Sequence, residues 1–200
     1  MNENKFMQPP HFGFTINFFL SREIADSLNR AVEKFKPLFS DHDYLPERYY
    51  HCTVKNLGIL PPHLNPRAFI HYRPLLRSIV TSHPAFEVEM VGLDYFPTAL
   101  IARIYSPNGE LEHIHRELFN LLPDSDPRYE GKNYTPHATL AFFRESPVRL
   151  ISWMREQGYG NLFFGRMKVQ KMELMNWDTG DSKANDLIEN YYLRTAGHAE

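Results

Sequence analysis

Two hundred residues with an ordinary apolar share suffice for one domain with a sizeable core, or for a compact body of two similar lobes. A net charge of −2 excludes the clustered cations that a long duplex-nucleic-acid groove needs, whereas a few local Arg and Lys would serve a nucleotide or an RNA end. The single cysteine, Cys52, excludes an intramolecular disulfide; no apolar run approaches the roughly 20 residues of a membrane span, and no secretory leader is legible, so a cytoplasmic protein is expected.

Residues 1–11 read as a loose, polar arm. Residues 12–20 alternate as a β-strand, with Phe14, Ile16 and Phe18 on one face, and Ser21 then caps a helix whose apolar stripe is Ile24, Leu28, Ala31, Val32 and Phe35 before Pro37 stops it. A polar loop around residues 41–47 leads into a second strand that ends near Gly58. Asn65-Pro66 supplies a cap and first-turn proline for a helix through Val80, interrupted or restarted at Pro74. Residues 86–91 and 100–105 read as paired strands separated by 92–98. The turn Ser106-Pro-Asn-Gly109 precedes a helix over 110–122 with Leu111, Ile114, Leu118 and Leu121 along one stripe, on which His113 and His115 are expected to face solvent. Residues 123–136 form a long polar loop into another strand. A short helix over 148–157, a Gly158-Tyr-Gly160 break, a strand-rich stretch over 161–177, a turn at 178–182 and a last strand over 187–194 complete the chain.

Two strands carry the chemistry. Tyr50-His-Cys-Thr-Val-Lys-Asn-Leu57 and Tyr134-Thr-Pro-His-Ala-Thr-Leu-Ala-Phe-Phe143 share His-x-Thr-apolar. Side chains alternate along a strand, so His137 and Thr139 share one face and His51, Thr53 and Lys55 another, with Cys52 and Val54 turned to the core. An unperturbed imidazole titrates near pH 6.5, so two of them across a cleft can divide acid and base work, while the hydroxyls of Thr53 and Thr139 can donate to non-bridging phosphoryl oxygens. This scheme requires no metal and no cofactor. His11, His42, His63, His71 and His83 form no ligand pattern with either motif, and neither a glycine-flanked nucleophile nor a phosphate-cradling glycine loop is present. Lys55 and Tyr134 are candidate substrate contacts, the first by charge and the second by stacking on a base. Arg103, Lys132 and Arg144 are further cationic candidates.

The paired motifs His51-Cys-Thr53-Val and Pro136-His137-Ala-Thr139-Leu, with Pro46-Glu47 before the first and Leu57-Gly58 ending its strand, resemble the 2H phosphoesterase superfamily, in its 2'-5' RNA ligase or RNA 2',3'-cyclic phosphodiesterase branch. The resemblance spans about residues 14–177. It implies an α+β, bilobal, pseudo-duplicated (LigT-like) fold in which two antiparallel sheets, with helices outside, flank a central cleft. It also implies hydrolysis of 2',3'-cyclic phosphates to 2'-phosphates, sometimes with reversible 2'-5' ligation. In that branch the residue matched by His51 is the proton donor, that matched by His137 the proton acceptor, and those matched by Thr53 and Thr139 hold phosphate. Asn56 stands where the family commonly has an aromatic residue. One bilobal domain over 1–200 is expected, with lobes near 12–105 and 106–194 that exchange strands, acting as a monomer on a nucleotide or RNA end. The competing readings are a nucleotide-binding module with little turnover and a phosphodiesterase for another cyclic or 2'-5' phosphoester.

Overall fold

The structure, a computed structural model, describes residues 12–60, 72–121, 131–178 and 185–195. Its strands are β1 (Phe12–Phe19), β2 (Asp43–Tyr44), β3 (His51–Leu60), β4 (Phe86–Phe96), β5 (Ala99–Tyr105), β6 (His137–Phe142), β7 (Phe163–Val169), β8 (Lys171–Asp178) and β9 (Asn185–Tyr192). The helices are α1 (Arg22–Phe35), α2 (Arg73–Ser82), α3 (Glu110–Leu121) and α4 (Val148–Glu156). The strands lie in the order β7-β4-β5-β6-β3-β1-β8-β9, with β2 paired to β6. This order divides at its middle. Within each four-stranded half the antiparallel ladders run over many residues, but β6 and β3 share, among the described residues, only the pair Cys52↔Ala138.

Period-2 burial decides which face the helices cover. Phe14, Ile16 and Phe18 of β1, Cys52 and Val54 of β3, Leu100, Ala102 and Ile104 of β5, and Ala138 and Leu140 of β6 are all buried. Helix α1 follows β1 in sequence yet packs on β7 in the other half, where Gly165 leaves room for Ile24. Its stripe ends at Phe35, whose ring sits 5.9 Å from that of Trp153 on α4 and 5.7 Å, edge-on, from Tyr159. Burying such a side chain stabilises the fold by roughly 1.5–3 kcal/mol. Helix α3 lies against β3, and α2 against α3 and β9. The β3-β1-β8-β9 half therefore combines strands from both ends of the chain, the other half takes its four strands from residues 86–169, and a boundary at residues 105/106 does not coincide with the seam. Among the described residues no helix is long and apolar enough to cross a membrane.

Several elements differ from their sequence reading. Strand β4 continues through 92–96, so the connection to β5 is a two-residue turn at Pro97-Thr98; the bulge at Gly92 breaks the alternation there and disguises the strand. The polar loop of 41–47 contains β2, whose two residues pair with Ala141 and Phe142. Pro74 sits in the first turn of α2, and the expected helical start at Asn65-Pro66 lies outside the described residues, as do the arm of 1–11 and most of the turn at 178–182. Ser21 does occupy the N-cap of α1, but its side chain makes no capping bond; its N–H donates to Met167 Sδ.

Gly92 has φ +78°, and a Cβ there would meet the carbonyl of Gly160 and the guanidinium of Arg103. Arg103 passes over this position to donate to Val91 O and Gly160 O. Gly92→Ala should therefore destabilise the protein by about 2–3 kcal/mol in urea unfolding; a loss within experimental error would contradict the close packing at this bulge.

Candidate active site

The Cys52↔Ala138 register places the two motifs face to face. In an antiparallel pair centred there, Thr53 stands opposite His137 and His51 opposite Thr139. The imidazoles are thus on a diagonal, for which separations of roughly 7–8 Å, somewhat less between Cβ atoms, are usual. Strand β2 occupies the other end of this edge of β6, at Ala141 and Phe142, and leaves the His137 end facing β3. All four side chains are half-buried on the face opposite the helices.

Both histidines are anchored in the same way. His51 Nδ1 lies 2.7 Å from Tyr49 O, and His137 Nδ1 lies 2.7 Å from Thr135 O. A carbonyl only accepts, so each Nδ1 carries a hydrogen and each Nε2 keeps the lone pair of the neutral ring. The surroundings are aromatic. The His51 ring stacks on Trp177 at 4.8 Å and 26° and lies 5.5 Å from Phe19, while Phe96 meets His137 edge-on at 4.8 Å. Trp177 Nε1–H donates to Thr15 Oγ1, which also accepts from Asn17 Nδ2 at 2.7 Å. Loss of solvent lowers the His51 pKa to about 4, against the opposing pull of the Tyr49 carbonyl and with a smaller downward contribution from His137. Desolvation also lowers the His137 pKa.

The other candidates are placed differently. Lys55 is only 1% exposed and is not on the motif face. A bulge pairs Asn17 with Thr53 but Ile16 with Lys55, so Val54 is an extra residue and the alternation inverts after it. Lys55 consequently turns under α3, with Nζ 5.5 Å from the Phe119 ring centre and bonded to Asn56 O at 2.8 Å. The exposed residue beyond the bulge is Asn56, which pairs with Thr15. Tyr134 also lies behind β3, its hydroxyl donating to Thr53 O at 3.1 Å. Its ring stacks on His115, which is 2% exposed, so the expectation of a solvent-facing His115 is corrected; His113 is exposed and bonded to Glu117. Arg103 is the cross-strand neighbour of His137, Arg144 grips Asp43 through Nε and Nη2 at 2.6 and 2.5 Å, and Lys132 lines a cavity of about 510 Å³ with Tyr134 and Arg116. Cys52 is a buried thiol whose pKa burial pushes up to about 12. Among the described residues no group of three or more His, Cys, Asp or Glu is arranged to hold a metal ion.

Sequence reasoning missed Phe96, Trp177, Thr15 and Asn17. Phe96 fell in a stretch read as a loop, and nothing local in the sequence says that Trp177, at the far end of the chain, reaches the first histidine.

The family model described as the 2'-5' RNA ligase superfamily matches residues 21–181. No curated protein sequence matches. Among solved structures, TT0787 of Thermus thermophilus superposes with a TM-score of 0.69 at 21% identity, over 92% of this chain and 99% of that one. E. coli LigT complexed with NADP+ gives 0.64 at 13% identity over 92% and 98%. The same protein complexed with 3'-AMP gives 0.60 at 13% identity over 93% and 99%.

Stacked on Trp177, His51 should titrate near pH 4 by NMR, and Trp177→Leu, which admits water to the ring, should raise that midpoint toward the usual value of about 6.5. An unchanged midpoint would contradict the assigned cause. Because the unfolded chain binds the His51 proton more tightly, the stability gained from keeping this ring neutral is complete above about pH 6.5 and is lost as pH falls toward 4.

Proposed function

The chain belongs to the 2'-5' RNA ligase superfamily, and on that footing we propose that it is a phosphodiesterase that opens 2',3'-cyclic phosphates of nucleotides or RNA ends to 2'-phosphates, using His51 and His137 as acid and base. The observation that carries the reading is the diagonal pair of imidazoles, each held through Nδ1 by a backbone carbonyl and each keeping the Nε2 lone pair for proton transfer on this reading.

In this mechanism His137 Nε2 takes a proton from water as its oxygen attacks phosphorus. The bond from phosphorus to the 3' oxygen breaks, and His51, protonated on Nε2, gives its proton to that oxygen. The product is a 2'-phosphate with a free 3' hydroxyl. Attacking and leaving oxygens lie on opposite sides of phosphorus in an in-line displacement, which suits bases placed on a diagonal. Thr53 and Thr139 donate to the non-bridging oxygens. A 5' hydroxyl in place of water gives a 2'-5' linkage by the same proton movements.

The low proton affinity of His51 bears on the donor role. An imidazole with a pKa of about 4 is neutral at pH 7 in the empty protein, so the anionic phosphodiester must favour the imidazolium as it binds. The same observation favours the second reading, a nucleotide-binding module with little turnover. We place the protein, on either reading, in the cytoplasm as a monomer.

Purified protein should hydrolyse nucleoside 2',3'-cyclic phosphates in the presence of a chelator, and His51→Ala or His137→Ala should each lower kcat about 10²–10⁴-fold. Activity that survives both single substitutions would refute the paired roles. Calorimetric nucleotide binding with no product after long incubation would establish the binding module instead.

A further inference from the structure

The bulge in β3 lies within the first motif. With Val54 as the extra residue, the backbone near Thr53 loses regular ladder partners, and buried carbonyls need others. Two side chains supply them from the helix side of the sheet. Tyr134 Oη donates to Thr53 O at 3.1 Å, and His115 Nδ1–H donates to Val54 O at 2.7 Å. The second ring nitrogen of His115 accepts the Gly131 N–H at 3.0 Å, which fixes the neutral tautomer with hydrogen on Nδ1. The two rings are stacked at 3.8 Å and 7° from parallel. They form a rigid support behind the strand segment whose other face presents the Thr53 hydroxyl.

The support comes from the chain leading into the second motif. Tyr134 bonds the backbone of the first motif, and its neighbour Thr135 provides the carbonyl that orients His137. One dipeptide therefore touches both half-sites, across a seam where the described strands share only Cys52↔Ala138.

We propose that Tyr134 and His115 are positioning residues: they fix the bulge so that Thr53 meets the phosphate in register with His137. This deepens, and rests on, the reading of Thr53 as a phosphate-holding residue. It takes the place of base stacking as the role proposed for Tyr134, one face of whose ring is taken by His115.

The test is a double-mutant cycle read by calorimetric binding of inorganic phosphate, with the ¹³C carbonyl shift of Thr53 as a readout independent of function. Tyr134→Phe, which keeps the stacked ring, should move that carbonyl shift and weaken phosphate binding about three- to ten-fold, the range of one hydrogen bond. Combined with Thr53→Val it should add nothing beyond Thr53→Val alone, whereas with Thr139→Val the losses should add. His115→Asn, which can still donate from the Nδ1 position, should bind phosphate better than His115→Leu. An unmoved carbonyl shift, or losses that add with both threonines as a general structural role would give, overturns the proposal. Wild-type protein that binds no phosphate while Tyr134→Phe still moves the carbonyl would overturn the phosphodiesterase reading and the positioning role with it, leaving a purely structural clamp.

Discussion

Among the described residues a single pair, Cys52 and Ala138, joins the two halves of the sheet, and the geometry of the site depends on it. Both are small and fully buried, as is Ala102, the partner of Ala138 on β5, so the backbones can approach closely at the seam. Had the ladder continued, the two motif strands would form an ordinary flat surface with no room for a substituent between them. Had it been absent, nothing in the sheet would fix one histidine relative to the other. One bridge gives register, and β2 covers the neighbouring edge of β6 at Ala141 and Phe142.

The same arrangement sets a tension between precision and proton affinity. Orientation of each ring comes from a backbone carbonyl on one side and aromatic neighbours on the other. Those neighbours exclude water, and exclusion of water makes the imidazolium less stable, most of all at His51. On the proposed reading, a site built this way is at rest when empty and gains its working protonation state with the negative charge of its ligand. Proton transfer is, on that reading, thereby tied to occupancy.

How much of this was legible in the sequence depends on range. The alternation rule put His51 with Thr53 and His137 with Thr139, and the helical stripes of α1 and α3 were readable from spacing alone. The rule failed at Lys55 because one extra residue at Val54 inverts the parity, and a bulge leaves no reliable mark in side-chain chemistry. His115 was misread although a signal existed: it lies four residues after Leu111 and three before Leu118, on the edge of the buried stripe, and a polar ring there implied partners inside. Its partners, the carbonyl of a bulged residue and an N–H from a distant turn, are not visible in local sequence. Trp177 and Phe96 were illegible for the same reason, since their contacts with the histidines arise from strand order rather than from neighbours in the chain.

If two imidazoles from separate strands share one phosphate, both must sense the same binding event. Titration with 2'-AMP, followed through the ¹⁵N signals of both rings, tests this most directly. His51 and His137 Nε2 should shift together, with a single dissociation constant, and both should move toward the protonated form. A ligand that perturbs only one ring, or perturbs the two with different affinities, would contradict a shared phosphate.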